Sequence, residues 1–131
     1  MKTELASLVW ISAFTALLWV PYVLNRMMVA GIGATVGYPA DPPALSPWAR
    51  RLRAAHGNAV ENLVVFAALV LSAQIIGVST PLTAAAAMLY LWSRILHAFA
   101  YTLAISWVRT IAFVGGFAAQ ILIAMQILAV R

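Results

Sequence analysis

Arg50, Arg51, Arg53, His56, Asn58 and Glu61 fall within twelve residues, in a chain otherwise poor in ionisable side chains. They run directly into an apolar stretch, Leu63 to Val78. Guanidinium groups grip carboxylates bidentately. A carboxylate such as Glu61 either accepts from a ligand ammonium or fixes a neighbouring arginine. A second set follows, Arg94, His97 and Tyr101, spaced i, i+3 and i+7, which places them on one stripe of a helix. Arg109 comes shortly after, and either it or Tyr101 can stabilise a developing anion. Asn58 and Glu61 are three apart and share a face, with Arg53 beside it. If these stripes converge, they line a partly wet pocket with excess positive charge, suited to an anionic ligand that makes many hydrogen bonds. Ionisable groups at membrane depth are expensive and persist where they pair or bind something.

The elements that must position these groups follow from composition. Of 131 residues, 65% are hydrophobic and 8% charged, against about a quarter charged in an ordinary soluble domain. A spanning helix needs about 20 mostly apolar residues. Leu5 to Met28, Ala59 to Val78, Leu82 to Leu103 and Ile105 to Val130 all qualify. The expectation is an all-α integral membrane protein: one domain, an antiparallel bundle of four transmembrane helices, at about 5–28, 47–76, 81–102 and 106–130. The first apolar run is longer than the roughly 7–15 residues of a secretory signal core, so it reads as a permanent helix. Cysteine is absent. That excludes disulfides and cysteine-ligated metal, and any thiol chemistry must come from a bound ligand. Two histidines without a nearby acidic pair make no metal site.

A net charge of +5 raises the question of nucleic acid, but the basic residues sit at membrane ends rather than on one solvated patch. Arg26, Arg50, Arg51 and Arg53 flank the first connection, and Arg94 and Arg109 the third. The second, Gly77 to Pro81, carries no charge. The positive-inside tendency puts connections one and three in the cytoplasm, with Lys2 and Arg131 pulling slightly the other way.

Local signals refine the helices. Pro21 should kink the first helix or interrupt its ladder. The segment Gly31 to Pro47 is rich in Gly, Pro and Ala and reads as the one long loop. Ser46-Pro47 reads as an N-cap followed by proline at the first helical position, and Thr80 as a cap for the third helix. A second helix from Pro47 to about Ile76 would be roughly 45 Å long, more than the ~30 Å hydrocarbon core, so its arginine-bearing turns should protrude. Short second and third connections favour up-down packing. The run Ala84 to Ala87 suits close helix approach in lipid.

Each chemical residue also has a plain structural use. The arginines near position 50 serve as anchors to anionic headgroups. Glu61 can neutralise Arg94 or Arg53. His97 can be a packing residue, and Tyr101 and the five tryptophans interface aromatics. Convergence on one membrane face favours the functional use.

The segment Arg53-Ala-Ala-His-Gly-Asn58-Ala-Val-Glu61-Asn62, followed by Phe66, resembles the signature of the MAPEG family, membrane-associated proteins in eicosanoid and glutathione metabolism. Arg94-Ile-Leu-His97-Ala-Phe-Ala-Tyr101, then Arg109-Thr110, is a second match. The resemblance spans essentially the whole chain and is greatest to small bacterial members. It implies a homotrimer with glutathione between neighbouring subunits, toward the cytoplasmic side of a bacterial inner membrane. It implies that Asn58, Glu61, His97 and Tyr101 contact glutathione, that Arg109 stabilises its thiolate, and that Thr110 stands where a serine is common. Arg94 matches a basic residue of the third helix, and Arg26 a first-helix arginine that reaches a glutathione carboxylate. Three positions depart from the pattern. Ala54 replaces an arginine, with Arg53 rotated about 100° from it. Gly57 stands where several relatives carry a basic residue. Val65 replaces a proline.

The implied activity is a glutathione-dependent transferase or peroxidase. Its second substrate, a hydrophobic electrophile or lipid hydroperoxide, enters from the membrane lipid. The alternative is a non-enzymatic membrane protein that binds or transports a small solute or lipid, for which a carboxylate such as Glu61 would carry protons. Loss of ligand contacts at Ala54 and Gly57 also fits a scaffold without activity.

Overall fold

The computed structural model describes residues 1–130, and Arg131 lies outside the described residues. The chain is helical throughout: α1 (Thr3–Leu17), α2 (Trp19–Val36), α3 (Pro47–Ile75), α4 (Pro81–Thr102) and α5 (Ser106–Leu128). Together α1 and α2 form one span, so four helices are long and apolar enough to cross a membrane. The first is interrupted at Leu18, whose N–H bonds back only three residues, to Thr15 O at 3.2 Å. Pro21 accounts for the break, because it has no N–H to give to the carbonyl four residues earlier.

The first span also runs further than its apolar stretch. At Gly31 the backbone takes φ +82° and ψ 162°, a conformation open to glycine, and a further helical turn follows to Val36. Thr35 Oγ1 donates to Gly31 O at 2.8 Å across that turn. The extended loop is therefore shorter than Gly31 to Pro47. Ser46 stands at the N-cap of α3, yet its side chain caps nothing. Its hydroxyl instead accepts from Asn25 Nδ2 at 2.8 Å, while its N–H donates to Asn25 Oδ1 at 3.0 Å. The buried Asn25 thus clamps α2 to the start of α3.

At α4 the expected cap forms in full: Thr80 Oγ1 accepts from Thr83 N at 3.1 Å and Thr83 Oγ1 from Thr80 N at 2.8 Å. Tight turns then reverse the chain, with Gly77 at φ +75° before α4 and Ala104 at φ +61° before α5. α4 is the central helix, packing against α5, α1 and α3. Its closeness to α5 depends on missing side chains: a Cβ on Gly115 would lie 2.7 Å from Ser93 Oγ, and one on Gly116 3.1 Å from Arg94 Cδ. Ala86 and Ala87 are buried in the same core, where Phe66 and Tyr90 stack with ring centroids 3.8 Å apart.

The distribution of polarity is that of a membrane protein. Glu4, Asn25, Thr83, Arg94, His97 and Gln120 are buried, while Trp10, Ile75, Trp107, Ile111 and Leu128 are exposed. In lipid there is no hydrophobic force between helices, so small and polar residues hold the interior and large apolar ones face outward.

Candidate functional site

The second and third helices of the bundle bring two motifs together through one short bond. Arg94 is 2% exposed, and its Nη2 donates to Asn58 Oδ1 at 2.6 Å. A buried guanidinium needs acceptors, and Asn58 supplies one by reaching from α3 into the face of α4. Arg94 is therefore engaged by Asn58 rather than by Glu61, which is exposed.

From Arg94 a chain of side chains continues toward the turn between α4 and α5. Phe113 lies with its ring centroid 6.0 Å from Arg94 Cζ and 6.1 Å from the His97 ring. His97, buried, meets Tyr101 edge to face at 5.7 Å. Arg109 Cζ sits 5.1 Å from the Tyr101 ring centroid, within cation–π range. Asn58, Arg94, His97, Tyr101 and Arg109 thus run from the middle of the bundle to the turn between α4 and α5, two guanidinium groups bracketing three aromatic rings. Such an arrangement stabilises an anion held beside it.

Parts of this cluster are unsaturated. Arg94 Nε, Arg94 Nη1 and His97 Nδ1 are buried and form no hydrogen bond among the described residues. Buried polar atoms are rarely left so; the others in this bundle, Thr15 Oγ1, Gln74 Nε2 and Tyr90 Oη, are neutral and scattered. The Arg94 and His97 nitrogens suit carboxylate or amide oxygens of a small polar ligand, and the two guanidinium charges suit an anionic one.

The other expected residues lie outside that chain of contacts. Arg53, Glu61 and Thr110 are exposed, and Arg26 is half-buried on α2. The Thr110 hydroxyl donates to Ser106 O at 3.0 Å, one turn back. Phe113 and Gly116 were not legible as site residues from their types, though they follow Arg109 at i+4 and i+7 on one helical stripe. Two other contacts also went unread. Tyr22 Oη and His56 Nδ1 are 2.9 Å apart, joining α2 to α3. Arg51 Nε donates to Thr102 O at 2.8 Å, closing the end of α4.

The MAPEG family model matches residues 9–129, nearly the whole chain. The chain belongs to the MAPEG family. Neither a curated protein nor a solved structure matches it. Membership makes this a multi-pass membrane protein of the glutathione and eicosanoid metabolism type, on the four-helix bundle described above. In this MAPEG protein the Arg53–Phe66 and Arg94–Tyr101 segments lie on the helices that the Arg94–Asn58 bond joins, with Arg109 and Thr110 following on α5. At Gly57, where relatives carry a basic residue, a Cβ would meet nothing within 4 Å. The departure leaves open space and not a filled contact.

Proposed function

We propose that this MAPEG protein is a glutathione-dependent transferase or peroxidase acting on hydrophobic electrophiles or lipid hydroperoxides. It works as a homotrimer, with the site toward the cytoplasmic face of a bacterial inner membrane. The observation that carries the reading is the unsaturated cationic cluster: Arg94, His97, Tyr101 and Arg109 converge, and three of its buried nitrogens are unused by the chain.

Glutathione supplies what the chain lacks, a thiol. Arg109, at the rim beside Tyr101, favours the thiolate over the thiol by its positive charge. Arg94 and His97 present donors to the tripeptide's carboxylates and amides, and Asn58 fixes the Arg94 guanidinium while sharing that task. Glu61 and Arg26, on the outer faces of α3 and α2, complete the hold on a molecule seated between subunits, with Arg53 and Thr110 at its edge. The sulfur forms a bond to an electrophilic carbon as the leaving group departs with its electron pair. With a hydroperoxide it bonds to the terminal oxygen as the O–O bond breaks, the alkoxide takes a proton, and a second glutathione thiol displaces water from the resulting sulfenic acid to form the disulfide. The apolar partner arrives through lipid, which concentrates it beside the bundle.

A transporter's site belongs near the bilayer midplane, open to both sides. This cluster instead runs from the middle of α4, at Arg94, through its last turns to the first turn of α5, toward one side of the bundle, which supports the enzyme. Calorimetric titration with reduced glutathione, using S-methylglutathione as the thiol-blocked control, tests binding. Saturable binding with a thiol-dependent part is expected, and no binding by an intact oligomer refutes the reading. Arg109→Ala should lower turnover about 100-fold or more, the cost of removing one anion-stabilising donor, while affinity falls much less. Equal losses in both would reduce Arg109 to a binding contact.

A further inference from the structure

On the outer side of the bundle, away from the Arg94 cluster, an apolar groove of about 540 Å³ opens where α1 breaks into α2. Leu18, Pro21, Trp48, Leu52, Ala98 and Leu103 are among its lining residues. The break at Leu18 and the adjacent Pro21 make the groove, since a straight first helix would lie flat on α4. It adjoins a second apolar groove of about 620 Å³ between α1 and α4, the two sharing Phe14 and Leu17. Along α4 the lining residues run from Leu103 to Met88, 15 residues or roughly 22 Å at helical rise, so the track is longer than one leaflet. One leaflet's share of the hydrocarbon core is about 15 Å.

One end of that track is cationic. Thr102, a lining residue, has its carbonyl held by Arg51 Nε at 2.8 Å, which fixes a half-buried guanidinium at the groove's end. That bond uses one of the five N–H donors that arginine carries. Arg50 lies about 100° from it on the same turn of α3 and Arg53 about 200°, so Arg51 is the one aimed at the groove. The chain has only three acidic residues: Glu4 at the start of α1, Asp41 in the loop, and Glu61 ten positions along α3 from Arg51. An arginine held at the end of a long apolar track, without an acidic neighbour on its own turn, is complementary to an anionic amphipath.

We infer that this groove is a site for an anionic phospholipid, one acyl chain lying along α4 between Leu103 and Trp92 and the phosphate held by Arg51. The lipid is a resident of the fold and not the substrate of the Arg94 cluster, so the inference goes beyond the proposed activity and stands without it. By seating against the carboxyl end of α4, on the face opposite the cluster, it also braces the helix that carries His97.

The test is lipid retention by native mass spectrometry of the full-length protein, taken from nanodiscs of equal phosphatidylglycerol and phosphatidylcholine. The wild-type protein should retain phosphatidylglycerol over phosphatidylcholine by roughly fivefold, the factor that one arginine near an anionic surface supplies. Arg51→Gln should remove that preference and Arg51→Lys keep it, while Arg50→Gln, on an exposed neighbour, should leave most of it. Equal retention of both lipids by the wild type, or an unchanged preference in Arg51→Gln, overturns the inference. If Arg51→Gln fails to fold, photoactivatable phosphatidylglycerol on the wild type decides. Labelling confined to peptides around Leu52 and Phe99–Leu103 supports the site, and labelling spread over the whole apolar surface refutes it.

Discussion

Replacing Asn58 with alanine takes away the acceptor of Arg94 Nη2, a bond of 2.6 Å to a guanidinium that is 2% exposed. Hydrogen bonds to charged groups contribute about 1.5–3 kcal/mol. Water has little access to this one, because Gly116, Phe113 and Tyr90 close around the arginine. Asn58→Ala should therefore cost about 2–3 kcal/mol. Arg94→Met behaves differently. It keeps the stem that passes Gly116 and deletes the charge, so the penalty of holding a cation out of water disappears together with its bond. A net change within about 1 kcal/mol is expected. In the Arg94→Met background, Asn58→Ala should then cost under about 1 kcal/mol, a coupling of about 2 kcal/mol between the two positions. Reversible unfolding in mixed micelles, followed by far-ultraviolet circular dichroism, measures all four corners of the cycle. If Arg94→Met costs as much as Asn58→Ala and the two losses add, the guanidinium is a net stabilising contact. The reasoning that it is retained at a cost for a ligand is then wrong.

Other perturbations test the packing around the site and at the opposite end. Gly115→Ala places a Cβ 2.7 Å from Ser93 Oγ and should destabilise by about 1–3 kcal/mol through overpacking; Ser93→Ala added to it should restore most of the loss in the same unfolding assay. Glu4→Ala removes the acceptor of Ser79 Oγ at 3.0 Å and Thr83 Oγ1 at 2.5 Å, and should cost about 2 kcal/mol while leaving glutathione binding unchanged by calorimetry. Gly57→Arg enters open space on α3. It should raise stability by up to about 0.8 kcal/mol through helix propensity and tighten glutathione binding, whereas a loss of stability would show that a partner subunit already fills that space.

The spans were legible because twenty-residue apolar runs have few other readings in a chain with 8% charge. The Thr80 cap was legible because capping is local chemistry, decided within four residues. Ser46 does stand at the N-cap with Pro47 following it, but its side chain does not cap, for the opposite reason. Its position is that of a cap, but Asn25, 21 residues away, competes for its hydroxyl, and no local pattern reveals a distant competitor. The helical turn beyond Gly31 was read as loop because glycine and proline content says little about what one glycine at positive φ permits. At the site, the stripe Arg94, His97, Tyr101 could be drawn from spacing alone. That Arg94 would turn to Asn58 rather than to Glu61 could not, since both lie one helical turn apart on the same face and only the packing angle of α3 on α4 separates them. Phe113 escaped because one aromatic among many in an apolar helix carries no signal until its neighbours are known.

The two ends of the bundle show how one rule of cost separates structure from function. Near the start of α1 a buried carboxylate, Glu4, is met by the hydroxyls of Ser79 and Thr83, and the Thr80 hydroxyl of the same turn donates to Gln126 Oε1 at 3.2 Å. That carboxylate joins α1 to the first turn of α4, and its hydroxyl partners come from within the chain. Where α4 meets α5 the polar groups are just as buried, yet Arg94 Nε, Arg94 Nη1 and His97 Nδ1 find no partner among the described residues. Burial without partners costs more than burial with them, and in the hydrocarbon region water offers little relief. At the Glu4 end the one charged group is fully engaged, and what is left without a partner, Gln74 Nε2, is neutral. Arg94 bears the cost of a cation with one partner only, on a stripe shared with His97 and Tyr101 and facing Arg109 of α5, and a ligand with several acceptor oxygens is what would offset it.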